Sequence, residues 1–407
     1  MDRTTGKKRN RFSANKNVLY LIAIIVAGFN LRPAITSVGP LLGTIRDDMH
    51  LENWSAGLIT SLPLIAFAVV SPLAPKIGRR IGNERAVLFG MVLLFIAVGM
   101  RSIPQPSLLF IGTAIVGAGI AMMNVLLPAV IKEKFPHKVG QMTSVYTTSM
   151  AIMASLASGL SVPLAMGAGL GWELALVSWG IVAIIGIAVW IVIIKREPVS
   201  SENRYEESSQ SASLAKLLKS PLAWQVSFFM GLQSFLFYVM VSWLPEMMYS
   251  FGFSINAAGW LASYAQFVGL PTMFLTPVLA EKYANQQGIV LAIGGGATIG
   301  FIGLLFGGPL PLIFIWVTII GFASAGSISL SLAMLGMRAR NAQQASTLSG
   351  MAQSIGYVFA AVGPLFIGLL FDLNDSWTVP LIAIIIVSVL MTLSGLGAGR
   401  DKYVTEE

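Results

Sequence analysis

Arg32 and Pro33 are the two residues of this 407-residue chain least at home in their surroundings. Residues 18–42 read VLYLIAIIVAGFNLRPAITSVGPLL, a stretch with a single charge, at Arg32. On insertion scales a guanidinium at mid-membrane costs roughly 2.5–3.5 kcal/mol, so such a group faces a cavity or a partner. Pro33 removes one helical hydrogen bond and leaves the Phe29 carbonyl without its usual donor. A backbone break at that depth requires protein or water to satisfy it. A lone planar cation beside a broken helix is therefore expected to hold a solute, through charge-assisted or bidentate bonds to oxygens. The competing reading is an arginine that only ties helices together through carbonyls.

Few other polar side chains fall inside apolar stretches. Among them are Asn30, Asn124, Tyr146, Gln233, Tyr238, Tyr264, Gln266, Gln353 and Tyr357. Gln353 and Tyr357 stand four apart and share a helix face, as do Tyr146 and Met150. Amides offer donors and acceptors, and tyrosines a flat apolar face with a polar tip. Such a set suits a small planar polar solute. Buried amides also bond between membrane helices, and both readings stand at this point.

Other chemistries find no residues to perform them. Cysteine is absent, which excludes disulfides and thiolate ligands. The two histidines, His50 and His137, fall in expected loops. None of the 18 acidic residues occupies the centre of an apolar stretch, so no mid-membrane proton relay is visible. Coupling could use end carboxylates such as Glu133 or Glu246, a solute carrying its own proton, or no ion at all. No phosphate-cradling P-loop and no HExxH metal motif occurs. Gly294–Gly296 and Gly307–Gly308 are expected to serve close helix packing. No catalytic residue, cofactor or metal site is expected, and the chain does not read as an enzyme.

The elements that must position these residues follow from composition. Hydrophobic residues make up 55% and charged residues 11%, with mean hydropathy +0.77, far from a soluble domain. The first apolar run is too long for a cleaved signal and reads as a retained span. Twelve spans are expected: 18–42, 55–75, 86–103, 107–131, 140–166, 172–194, 222–248, 257–280, 288–308, 311–336, 343–371 and 377–399. Pro63, Pro128 and Pro271 are expected to kink theirs. With the N-terminus inside, 23 of 26 Lys and Arg residues lie on one side; Arg46 and Arg101 remain in outer loops and Arg32 in the membrane. The positive-inside rule then places both termini in the cytoplasm.

The chain also echoes itself at half its length. Ser55-Ala-Gly-Leu-Ile-Thr-Ser61 is similar to Ala257-Ala-Gly-Trp-Leu-Ala-Ser263, and Ile115-Val-Gly117 to Ile319-Ile-Gly321. Pro40 falls on Pro245 and Trp172 on Trp377 at nearly the same offset. The expected organisation is a basic tail at 1–17, a six-helix bundle at 18–194, a cytoplasmic linker at 195–220, a second six-helix bundle at 221–399 and a tail at 400–407. Within the linker, Ser213–Ser220 reads as a short amphipathic helix with Ser213 as cap.

Three blocks carry a resemblance: Phe29-Asn-Leu-Arg-Pro-Ala-Ile-Thr-Ser-Val-Gly-Pro-Leu41 with Leu42, Trp243-Leu-Pro245, and Leu348-Ser-Gly-Met-Ala-Gln353 with Gly356-Tyr357. The loop Pro75-Lys-Ile-Gly-Arg-Arg-Ile-Gly-Asn-Glu-Arg85 looks like the motif joining the second and third helices of major facilitators. It departs from that motif, because Arg79 stands nearest the place of the usual acid; Glu281-Lys282 keeps an acid in the second half. The whole resembles the cyanate/2-nitroimidazole transporters of the major facilitator superfamily. This resemblance implies an all-α membrane protein of two pseudo-symmetric six-helix bundles that moves a small polar or anionic solute across the plasma membrane by alternating access. Export of a small drug-like compound and a non-transporting solute sensor are the alternatives. It implies a cavity lined by Arg32, Asn30, Asn124, Tyr146, Gln233, Tyr238, Gln266, Gln353 and Tyr357. Arg79, Arg80, Arg85, Glu281 and Lys282 are expected to take part in gating. The expected partners are a small-molecule substrate and the lipid bilayer, without nucleic acid, for a monomeric chain.

Overall fold

The computed structural model describes residues 3–51, 53–196 and 215–405. Among them the regular structure is helical, without a β-strand. Apolar backbone away from water must satisfy its own polar groups, and a helix does so within one segment. In chain order the helices are α1 Arg3–Asn30, α2 Pro33–Thr36, α3 Leu42–Asp48, α4 Asn53–Val70, α5 Ala74–Ile81, α6 Asn83–Arg101, α7 Pro106–Lys134, α8 Val139–Val162, α9 Gly171–Ser178 and α10 Gly180–Arg196. There follow α11 at 215–219, α12 Pro221–Ser250, α13 Ile255–Val268, α14 Leu270–Lys282, α15 Gln287–Phe306, α16 Leu310–Met337, α17 Ala342–Asn374 and α18 Thr378–Ala398. Ser220, Ser254 and Asn341 cap α12, α13 and α17 by accepting backbone N–H groups three residues on.

Ten segments are long and apolar enough to cross a membrane, and they coincide with ten of the twelve expected spans. The second expected span, 55–75, is α4, which ends where the chain bends by 56° at residues 71–73; α5 beyond the bend lies mostly in the expected inner loop. The eighth is divided at Gly269 into α13 and α14. A Cβ at Gly269 would lie 2.6 Å from the Gly321 carbonyl oxygen, so the crossing with α16 requires glycine there. Pro271, two residues later, lacks the N–H that would continue the helix. Pro63 and Pro128 lie inside α4 and α7. Large apolar side chains such as Phe267, Phe306, Leu365 and Leu373 point outward, as a lipid-facing surface demands.

The chain divides into two compact units. Unit 1 takes the described residues within Met1–Ala66, Ala74–His137 and Val145–Tyr205. Its α6 packs on α7 and α10, and α1 packs on α10 and α7. Gly90 and Gly119 face each other where α6 crosses α7. A Cβ on either would come within 2.8 Å of the other's carbonyl oxygen. Val38, Leu41, Ile45, Leu109, Trp172 and Leu176 form one buried apolar cluster. There the Trp172 indole donates to Asp48 Oδ2 at 2.9 Å. At another place on this unit, Lys134 pairs with Glu84 and Glu133, each at 2.8 Å.

Unit 2 takes the described residues within Phe67–Leu73, Lys138–Ser144 and Glu206–Glu407. The short stretches 67–73 and 138–144 therefore cluster with it, although the sequence assigns them to the first bundle. Its α12 packs on α17 and α18, α15 on α16 and α18, and α14 on α16. Gly294 does serve packing, since a Cβ there would strike Thr392. Gly307 does not, with nothing near a Cβ there, and a Cβ at Gly308 would meet only the Leu312 side chain, 2.8 Å away. Their φ values of 67° and 129° mark the left-handed turn that ends α15, which glycine adopts at least cost. The tail folds back onto this unit: Val404 N–H donates to the Arg338 carbonyl at 3.0 Å, and Gln344 Nε2 donates to Thr405 Oγ1 at 2.9 Å. Buried Arg338 donates to the Ala398 carbonyl at 2.7 Å and to Gln286 Oε1. Burial draws its guanidinium below the ordinary arginine range. In α11 only Leu217 is buried; the expected Ser213 cap lies outside the described residues.

Candidate functional site

The break expected at Pro33 is present. Helix α1 ends at Asn30, Leu31 and Arg32 leave the helix, and α2 restarts with Pro33 as its first residue. Arg32 caps α2 with φ −126° and ψ −37°, and it is half-buried. The freed backbone is stitched from several neighbours. Leu31 N–H donates to the Gly28 carbonyl at 3.2 Å. Thr36 Oγ1 donates to the Arg32 carbonyl at 3.2 Å and to the Ala154 carbonyl of α8 at 3.1 Å. Asn30 is 3% exposed, and its Nδ2 donates to the Val26 carbonyl at 2.8 Å and to the Val182 carbonyl of α10 at 3.1 Å. Gly28 presses α1 onto α8, since a Cβ there would lie 2.7 Å from the Tyr146 carbonyl oxygen. Tyr146 and Asn124 are both buried in the same unit.

Arg101 corrects the sequence reading. It was expected in an outer loop, but it is the last residue of α6 and only 1% exposed. Its Nη1 donates to the Ala34 carbonyl of α2. The helix break supplies that acceptor, which no local pattern around residue 101 could reveal. An arginine closing an apolar helix was the one available signal.

In unit 2, Gln233 and Gln353 are both buried. Gln233 Nε2 donates to the Met230 carbonyl at 3.0 Å and to Ser234 Oγ at 2.8 Å. The Met230 oxygen fixes which end of the amide is nitrogen. Oε1 is left as a buried acceptor without a partner among the described residues. Gln353 Nε2 donates to Ser349 Oγ at 2.9 Å. The crossing of α12 and α17 brings these together: Met230 Cγ and Ser234 Oγ lie 3.4 and 3.7 Å from an ideal Cβ at Gly356, between Gln353 and Tyr357. Tyr357 packs against Phe67 with ring centroids 4.4 Å apart. Tyr238 is half-buried, edge-on to Phe237, and Gln266 is exposed. Tyr264 shares a hydrogen bond with Thr318 at 2.9 Å, which ties α13 to α16.

The residues expected to gate are distributed over both units. Arg79 is half-buried, with both terminal nitrogens buried and without a partner among the described residues; Arg80 and Arg85 are exposed. Glu281 Oε2 accepts the Gln141 N–H at the start of α8, at 3.0 Å, within unit 2. That geometry places an anion at a helix N-terminus, where it is favoured. Lys282, next to it, closes α14 and is exposed.

Residues 21–361 match the family model of the Major Facilitator Superfamily. The chain is 49% identical over 384 residues to the uncharacterized transporter YycB of Bacillus subtilis (strain 168), covering 94% of each protein. It is 39% identical over 393 residues to the 2-nitroimidazole transporter of Escherichia coli (strain K12), covering 96% of this chain and 98% of that one. Its fold superposes on the crystal structure of the transporter FucP in the outward conformation with a TM-score of 0.75 at 14% identity, over 93% of this chain and 98% of FucP. At that identity the likeness shows the fold alone. The chain thus belongs to the Major Facilitator Superfamily, as a multi-pass membrane transporter that resembles the cyanate and 2-nitroimidazole transporters.

Proposed function

We propose that this protein moves a small polar or anionic solute, of the size of cyanate or a nitroimidazole, across the plasma membrane by alternating access, with both termini in the cytoplasm. The observation that carries the reading is Arg32, a cation set in a backbone break that neighbouring helices hold open. A planar guanidinium matches the paired oxygens of a nitro group or a carboxylate. Gln233 supports the same reading from its own unit, because a buried acceptor whose N–H groups are already engaged suits a solute with an N–H or O–H donor. Asn124, Tyr146, Tyr238, Gln353 and Tyr357 are proposed to line the path. Asn30 joins them through Oδ1, since Nδ2 serves the break. Gln266 contributes in a conformation that covers it. Arg79, Arg80, Arg85, Glu281 and Lys282 take part in gating.

The test is uptake by purified protein in liposomes, with 2-nitroimidazole and cyanate as probes. Saturable uptake above protein-free liposomes, blocked by excess unlabelled probe, is expected for at least one. Flux of both at the protein-free level, with no equilibrium binding of either, contradicts the reading.

A further inference from the structure

We infer that Arg101 is a positioning residue: by capping the Ala34 carbonyl it sets the geometry in which Arg32 leaves the broken helix. Helix α2 has only four residues, so its carbonyls lack the donors that a continuing helix would bring. The Val38 N–H, four residues after Ala34, turns instead to the Ile35 carbonyl at 3.3 Å. Arg101 Nη1 fills the vacancy at Ala34. Ala34 is separated from Arg32 by Pro33 alone, whose ring fixes its own φ. Holding the Ala34 carbonyl therefore restrains the Arg32 backbone directly.

Arg101 is an expensive way to fill that position unless the position matters. It is fully buried, yet among the described residues no acid pairs with it, and Nε and Nη2 have no partner. Burying a charge without full compensation opposes folding, so a neutral amide or an apolar side chain would be the cheaper occupant. The helix packing is built to admit it. A Cβ at Gly112 of α7 would lie 2.7 Å from Arg101 N and 2.8 Å from Arg101 Cβ, so glycine is what lets α7 close on this helix end. The charge also sits at the C-terminus of its own helix, where a cation is favoured. Only the last link, from Arg32 to the solute, rests on the function proposed above.

The experiment compares full-length wild type, Arg101→Gln, Arg101→Lys, Arg32→Gln and the Arg32→Gln/Arg101→Gln double variant. Each is read by amide hydrogen exchange and by equilibrium binding of 2-nitroimidazole. In Arg101→Gln, exchange over residues 31–38 should rise on the order of ten-fold, with α15 to α18 unchanged, because a local restraint is lost rather than the fold. Arg101→Lys should recover part of that protection, since it keeps a cationic donor. Probe affinity should fall in Arg101→Gln, and the same substitution should cost nothing further in the Arg32→Gln background, as for two residues acting through one contact. Unchanged exchange at 31–38, a uniform rise throughout the molecule, or additive affinity losses would overturn the inference. Wild type that fails to bind the probe, or Arg32→Gln that binds it normally, removes the functional reading and leaves the exchange result to decide the clamp. If Arg101→Gln cannot be purified monodisperse, Gly112→Ala displaces the Arg101 backbone and is judged by the same exchange criterion.

Discussion

Gly28 is where the break can be perturbed without replacing a polar side chain. A Cβ there lies 2.7 Å from the Tyr146 carbonyl oxygen and 3.1 Å from Ser149 Cβ, so α1 and α8 must part by about 0.7 Å to restore a 3.4 Å contact. Overpacking of this kind costs about 1–3 kcal/mol. Alanine's better helix propensity returns up to about 1 kcal/mol of that. Gly159 on the same α8 provides the control, because a Cβ there meets nothing within 4 Å. Gly159→Ala should be neutral or slightly stabilising. Gly28→Ala should lie about 1–3 kcal/mol below it, a drop in Tm of several degrees at about 2–4 °C per kcal/mol. Thermal unfolding of both variants in detergent measures the difference. Probe affinity should fall in Gly28→Ala alone, since Tyr146 and the Arg32 break move apart. Equal melting temperatures for the two variants would refute the close approach of α1 and α8, and with it the packing that holds the break.

Thr36→Val removes the hydroxyl that donates to the Arg32 and Ala154 carbonyls. Hydrogen bonds between membrane helices average about 0.6 kcal/mol, so denaturant titration should register about 0.5–1.5 kcal/mol. Glu133→Gln and Glu246→Gln should leave equilibrium probe affinity within about two-fold of wild type, because Glu133 pairs with Lys134 and Glu246 is exposed. Affinity lost as completely as in Arg32→Gln would make either acid part of the site. Arg338→Met strands Gln286 Oε1 and the last carbonyl of α18. It should lower stability by about 1–3 kcal/mol in thermal unfolding while sparing probe affinity.

What could be read from the sequence was what local chemistry decides. Pro33 removes a helical hydrogen bond directly beside the one charge of its span, so the interruption at Arg32 was visible in residues 29–33 alone. The ten segments long and apolar enough to cross a membrane were equally plain, because bilayer thickness sets a length that composition reveals. The rest depended on partners distant in the chain. Arg101 resembled a loop charge because its acceptor, Ala34, belongs to another helix. The division at Gly269 was legible in part, through Pro271 beside it, while its crossing with Gly321 on α16 was not. Gly307 and Gly308 lay in an apolar run that hid a left-handed turn. Among the polar residues, the sequence named Asn30 and Gln233 but could not say which of their atoms were spoken for. The donors of Asn30 hold two carbonyls, and those of Gln233 are satisfied within its own turn.

The decisive measurement is equilibrium binding of 2-nitroimidazole to purified, monodisperse Arg32→Gln protein, beside wild type and Arg32→Lys. Glutamine removes the charge, and lysine keeps the charge but loses the planar fork. Affinity in Arg32→Gln should fall tens- to thousands-fold, as expected when roughly 2–5 kcal/mol of a buried charged contact is lost. Arg32→Lys should retain more of it, and helical content should match wild type in both. Wild-type affinity in well-folded Arg32→Gln would contradict the central claim and leave Arg32 a packing residue at the helix break.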